Sequence, residues 1–145
     1  MPRIPILFLL FAVVLWSKNS SENLTLTVKA DGFHNNRGYA IVMLYDTPGS
    51  IPDKTLSRYR YRKIVPIKNG KVRTNFTNLK PGRFAVSLFH DENSNGTIDK
   101  GLMLPTEGVG LSNFKSVNLF HPPSFKAASF ELNKNLTVPI HLIYF

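Results

Sequence analysis

Short runs in which every second residue is apolar recur along this chain, and they restrict it to β structure before anything else is weighed. Leu24, Leu26, Val28 and Ala30 alternate with Thr25, Thr27 and Lys29, so an extended backbone buries one side and solvates the other. Residues 83–89 place Phe84, Val86 and Leu88 on one face, and residues 136–145 alternate Leu136, Val138, Ile140, Leu142 and Tyr144. Residues 39–45 are apolar on both faces, which predicts a central strand. Asn69-Gly70 separates alternating runs at 60–67 and 71–76, the composition of a type I′ turn, and predicts a hairpin with Val72, Thr74 and Phe76 on one face. Residues 125–132 read as a further strand. Pro139 removes one ladder donor from the last strand and assigns it to an edge or a bulge. No stretch has the period of a long amphipathic helix. The expectation is an all-β domain, a Greek-key sandwich of about seven strands, immunoglobulin-like or transthyretin-like.

At 145 residues the chain has room for one such domain, and its 43% apolar content is enough to give that domain a core. Cysteine is absent, which excludes thiolate metal sites, Cys nucleophiles and disulfides together. Residues 1–20 carry Arg3 followed by an unbroken apolar run at 6–16, the pattern of a secretory signal. The run is shorter than the roughly 20 residues a membrane-spanning helix needs. It is expected either as a cleaved signal peptide or as an uncleaved N-terminal anchor, with residues 21–145 as the domain and no membrane contact beyond that segment. With no Cys after the apolar run, a lipidated anchor is excluded.

Residues 90–99, HDENSNGTID, gather oxygen-bearing side chains where a strand must turn. Counted from Asp91, donors fall at positions one, three, five and nine (Asp91, Asn93, Asn95, Asp99), with Gly96 at six and the Thr97 carbonyl at seven. That spacing resembles the start of a Ca²⁺ loop, in which Gly allows donors to converge. Position twelve is Leu102 rather than the bidentate Glu of an EF-hand, so Glu92 or Glu107 would have to complete a shell. The competing reading needs no ion, because Asp and Asn build Asx-turns of the same composition. Residues 100–123 lose all periodicity. A segment of that length is either functional or fastened down, here by Ser112-Asn113 as a binding surface or by Phe114, Phe120 and Phe125 as anchors. Of the four histidines, His34, His90, His121 and His141, only His90 adjoins a carboxylate. Neighbours in a strand point to opposite faces, however, and no nucleophile elbow, HExxH or phosphate loop accompanies it. A structural His is expected.

The net charge is +9, and residues 54–79 hold eight Lys and Arg and no acid: Lys54, Arg58, Arg60, Arg62, Lys63, Lys68, Lys71 and Arg73. In an extended strand Arg58, Arg60 and Arg62 would share one face and Tyr59 and Tyr61 the other. Such a row, with Lys63, predicts contact with an anionic envelope polymer, or else a solvated edge strand guarded against aggregation. Nucleic acid is the weaker expectation.

Residues 80–86 (KPGRFAV), 90–99 (HDENSNGTID), 104–113 (LPTEGVGLSN) and 122–128 (PPSFKAA) occur in an order that resembles DUF2141, a family of uncharacterised exported bacterial proteins. The likeness runs from about Leu24 to the end. It departs from the family pattern at Arg83 and Phe84, where Tyr is usual after Gly, at Leu104, and at Val109 and Leu111, where aromatics are usual. The resemblance implies a small exported β-sandwich and carries neither an activity nor metal ligands with it. Taken together, the residues point to an exported, non-enzymatic binding or accessory module of the bacterial cell envelope, stabilised by Ca²⁺ if the loop holds one. The alternative is a small hydrolase or carbohydrate-active domain using residues 90–112. A transthyretin-like hydrolase of the kind that ends in Tyr-Arg-Gly-Ser does not match the terminal His141-Leu-Ile-Tyr-Phe.

Overall fold

The computed structural model describes residues 23–102, 104–116 and 122–145. The signal segment expected at residues 1–20 lies outside them, as do Phe120 and His121. In chain order the strands are β1 (Leu24–Asp31), β2 (Tyr39–Tyr45), β3 (Tyr61–Pro66), β4 (Val72–Leu79), β5 (Gly82–Asp91), β6 (Val109–Leu111), β7 (Phe130–Leu132) and β8 (Leu136–His141), with one helical turn, α1 (Phe125–Ala128), before β7. They form the expected all-β sandwich. One sheet has the order β4-β1-β8 and the other β3-β2-β5-β6, with β7 paired to the start of β5. Strand β1 runs antiparallel to β4 but parallel to β8.

The alternation dictates what lies between the sheets. Leu26 and Val28 of β1, Val42 and Leu44 of β2, and Val86 and Leu88 of β5 meet there almost without solvent contact. Each such side chain contributes about 1.5–3 kcal/mol on burial. The opposite faces of β2 and β5 are covered too: Ile41, Met43, Tyr45, Ala85 and Phe89 lie under Ile51, Leu111, Phe125 and Ala128. This second layer is why β2 is apolar on both sides. At one edge the sheets are tied together, because Val109 N–H donates to the Ile143 carbonyl (2.9 Å) and Ile143 N–H returns the bond to Val109 (2.8 Å). Pro139 sits on β8 at the edge of the three-stranded sheet, where a missing donor is tolerated.

Two local expectations are corrected. Asn69 (φ 52°) and Gly70 (φ 68°) do make the turn, and Lys68 and Lys71 exchange two 3.0 Å bonds across it. The arms then part, β3 to pair with β2 and β4 with β1. A two-residue turn controls only its own ends. Val72 and Phe76 bury their side chains by lying against β1, so the apolar faces decided the partners. Residues 125–132 are likewise not one strand. Ser124 caps a helical turn, its Oγ accepting from Ala127 N–H at 3.2 Å, and Phe125 and Ala128, three residues apart, bury a common face. Strand pairing resumes only at Phe130.

Candidate functional site

Strand β5 carries the chain into the 90–99 loop, and its last two residues turn opposite ways. His90 enters the interior and is fully buried. Its Nε2 lies 2.7 Å from the Arg37 carbonyl and its Nδ1 2.7 Å from the Tyr144 hydroxyl. A carbonyl can only accept, so Nε2 carries the hydrogen, and in the neutral ring Nδ1 accepts from the Tyr144 O–H. The same hydroxyl accepts the His34 N–H at 3.2 Å, while the Tyr144 ring stacks on His34 with centroids 3.5 Å apart. Phe33 closes the pocket edge-on to His90. Burial pushes the Tyr144 hydroxyl above its ordinary pKa. Gly108 makes room for this ring, since a Cβ there would lie 2.3 Å from it. Both nitrogens of His90 are therefore committed, in agreement with a structural role. Tyr144 had no signal of its own in the sequence beyond its place in an alternating run.

Asp91 faces the loop and is also buried, 2% exposed. Its Oδ1 accepts from Asn95 N–H (3.0 Å) and its Oδ2 from Gly96 N–H (2.9 Å). Asn93 and Asn95 each fold back on the backbone two residues ahead: Asn93 Oδ1 accepts from Asn95 N–H (3.1 Å) and Asn95 Oδ1 from Thr97 N–H (2.9 Å). These are Asx-turns. The side-chain amides of Asn93 and Asn95 then donate to the two oxygens of Asp99 at 2.6 and 2.9 Å. Thr97 adds its hydroxyl to Asn95 Oδ1 (3.0 Å).

Glu107 reaches in from the long connection and is 6% exposed. One carboxylate oxygen accepts from Glu92 N–H and the other from Asp99 N–H, both at 3.1 Å. Asp91, Asn93, Asn95, Thr97, Asp99 and Glu107 thus belong to one hydrogen-bonded network. Glu92, the other residue expected to complete a shell, turns away. Its carboxylate takes Asn35 Nδ2 (3.1 Å) and pairs with Arg37, and the Asn35 bond leads in holding it below the ordinary carboxylate range. Among the described residues no three His, Asp or Glu side chains are arranged to hold a metal ion. An ion in this loop would draw on amide and carbonyl oxygens as well.

The acid in this network sets a pH dependence. Burial pushes the Glu107 carboxyl above its ordinary 4.5, against the pull of its two N–H donors, and Asp99 and Asp91 add to the rise. Folded protein then keeps this proton at a pH where the unfolded chain has released it. The titration of Glu107 therefore favours folding most fully below the ordinary value, and that contribution is lost as pH rises through the folded value. Urea unfolding at about pH 4 and about pH 7 is expected to show wild type gaining on Glu107→Gln at the lower pH. A gap between them that is independent of pH would contradict this. Glu107→Ala, which strands two N–H donors, is expected to cost about 2 kcal/mol.

Ser112 and Asn113 fasten the connection. Ser112 Oγ donates to the Ala128 carbonyl (2.7 Å) and accepts Val86 N–H (2.9 Å), while Asn113 Nδ2 donates to the carbonyls of Ala128 (3.2 Å) and Ser129 (3.0 Å). Phe114 and Phe125 pack in the second layer. Beside the loop, a cavity of about 250 Å³ opens between Ile98, Leu104, Val109, Leu111 and Tyr45. Its one buried hydroxyl, on Tyr45, lies 3.3 Å from Asp53.

The expected row of guanidinium groups does not form. Strand β3 begins only at Tyr61, and Asp46 and Asp53 hold the preceding residues: Asp46 pairs with Arg60 (3.0 Å) and Asp53 accepts Arg58 N–H (2.8 Å). The guanidinium of Arg58 donates to the Gly49 carbonyl (3.2 Å) and that of Arg62 to the Gly96 carbonyl (3.4 Å). Lys63 sits opposite Val42 and Arg62 opposite Met43, so the two point to different faces, and Lys63 donates to the Asn75 carbonyl.

A family model described as "Uncharacterized protein conserved in bacteria (DUF2141)" matches residues 28–139. No curated protein and no solved structure matches the chain.

Proposed function

This chain belongs to the DUF2141 family, whose description assigns no activity, and from the site together with the signal-like run at residues 6–16 we propose an exported, non-enzymatic binding or accessory module of the bacterial cell envelope. One observation carries the reading. Across residues 90–112 the groups that would do chemistry, His90, Asp91, Asp99, Glu107 and Ser112, each spend their polar atoms on hydrogen bonds that hold the fold together. A general base or nucleophile needs a free lone pair within reach of a substrate. What the region offers a partner is an apolar cavity. The alternative, a small hydrolase or carbohydrate-active domain at the same loops, predicts turnover of model esters or glycosides that His90→Gln abolishes. The module predicts none. Export is tested by fractionating cells that make the full chain and sequencing the N-terminus of the product. Recovery from the cytoplasm would refute it.

A second reading concerns the loop. A Ca²⁺ ion held by Asp91, Asn93, Asn95, the Thr97 carbonyl, Asp99 and Glu107 would order residues 91–110. The crowding of Asp91, Asp99 and Glu107, which helps to raise the Glu107 carboxyl, supports it, because a divalent cation relieves such repulsion. Thermal melting in Ca²⁺ is expected to exceed melting in chelator by at least about 3 °C. Asp91→Ala and Asp99→Ala would each abolish that shift. Identical wild-type melting in the two buffers would sink the ion and leave the Asx-turn network standing alone.

A further inference from the structure

We propose that a basic groove on the outer face of the β4-β1-β8 sheet binds a phosphate-bearing polymer chain. The groove has a volume of about 990 Å³ and is lined by Lys29, Lys68, Lys71, Arg73 and Lys115. All five side chains belong to exposed residues. Their placement follows from register. Lys29 on β1 lies directly opposite Arg73 on β4, and Lys68 and Lys71 face each other across the Asn69-Gly70 turn.

Like charges set directly across neighbouring strands repel and destabilise the pair. The groove holds two such pairs, Lys29–Arg73 within the sheet and Lys68–Lys71 at the turn before β4, and among the described residues none of the five cations has a carboxylate within salt-bridge distance. The one acid in the lining, Asp31, is engaged by His141 Nδ1 at 2.5 Å. The cations of residues 58–63, by contrast, are spent on Asp46 and on backbone carbonyls. Five exposed cations with no carboxylate partner among the described residues are thus gathered around one groove, and a polyanion would relieve their repulsion.

The lining also selects the kind of polyanion. Single-stranded nucleic acid is held by aromatic platforms as well as charge, whereas among the described residues the only aromatic rings lining the groove are Phe114 and the engaged His141. Membrane insertion needs exposed apolar side chains, and none of Tyr39, Tyr61, Ile64, Leu102 or Phe145 lines the groove. Exposed cations over a lining whose apolar members, such as Val65, Pro66 and Pro139, offer neither aromatic platforms nor long inserting side chains fit a flexible chain of phosphates. This names a partner for the accessory role proposed above and is read on purified protein, so failure of export and failure of binding are separate results.

The test is fluorescence anisotropy of labelled inorganic polyphosphate titrated with the full chain at rising NaCl. Lys29→Gln with Arg73→Gln is expected to weaken binding at least about tenfold and to lower the salt slope by about two, one for each lost phosphate contact. Arg58→Gln with Arg60→Gln is expected to change affinity by less than about twofold. Both groove positions are exposed, and removing their repulsion should leave the melting temperature of the unliganded variant equal to or above that of wild type. No binding, an equal loss from the two double variants, tighter capture by phosphatidylglycerol vesicles or by single-stranded DNA, or a groove variant that melts below wild type would each overturn the assignment.

Discussion

His90→Ala is expected to lower the free energy of unfolding by about 4 kcal/mol, the sum of a buried cavity and of two lost hydrogen bonds, one to a carbonyl and one to a hydroxyl. The imidazole joins three parts of the chain that are far apart in sequence: the Arg37 carbonyl before β2, the end of β5, and Tyr144 beyond β8. Its removal deprives that carbonyl of its imidazole donor and the Tyr144 O–H of its acceptor, while the His34 N–H bond to the same hydroxyl remains. Tyr144→Phe keeps the ring on His34 and removes only the hydroxyl, and is expected to cost about 1 kcal/mol. Urea unfolding of the two variants against wild type checks both values. A loss at His90→Ala no larger than that of Tyr144→Phe would show that the imidazole is not the joint.

Gly38→Ala is expected to cost about 3 kcal/mol, from two causes that act together. Gly38 has φ 63°, in the left-handed region that a side chain disfavours. An added Cβ would also lie 1.9 Å from the Asp91 carbonyl oxygen, and that obstacle is backbone, which cannot rotate away. Relief would require β2 to shift against β5 at the Tyr39–Asp91 pair, next to both His90 and the loop. The variant should therefore lose stability and also loosen the Asp91 network, seen as faster amide exchange at Asn95 and Gly96. Gly70→Ala serves as the comparison. Its φ is similar, but the nearest atom to its Cβ would be 3.4 Å away, so a cost of only about 1 kcal/mol is expected. Equal costs at the two positions would mean that φ alone, and not the close approach to β5, limits Gly38.

Much of the candidate site was legible because it is local. The Asx-turns of Asn93 and Asn95 join residues two apart, and Asp91 caps residues four and five ahead, distances over which composition and spacing determine geometry. Glu107 was the favoured candidate over Glu92 only because it lies on an irregular segment that needs an anchor. The choice between them depended on Arg37 and Asn35, which approach from the turn before β2. Residues 58–63 misled for the same reason. Alternation places charges on a face only where the backbone is extended, and Asp46 and Asp53 hold the chain out of the strand before Tyr61.

The amino-acid sequence by itself determined the class of structure, the family and the inward face of nearly every long strand, and it offered the self-bonded 91–99 loop as one of two readings. Each of these rests on period-two burial or on hydrogen bonds between near neighbours. Only the tertiary structure decided which strands pair, that β8 runs parallel to β1, that Tyr144 and Arg37 meet on His90, and that Lys29, Lys68, Lys71, Arg73 and Lys115 line one groove. Those outcomes depend on burying two faces of one sheet and one face of the other at once. Competition of that kind between distant segments leaves no mark in the local pattern of either.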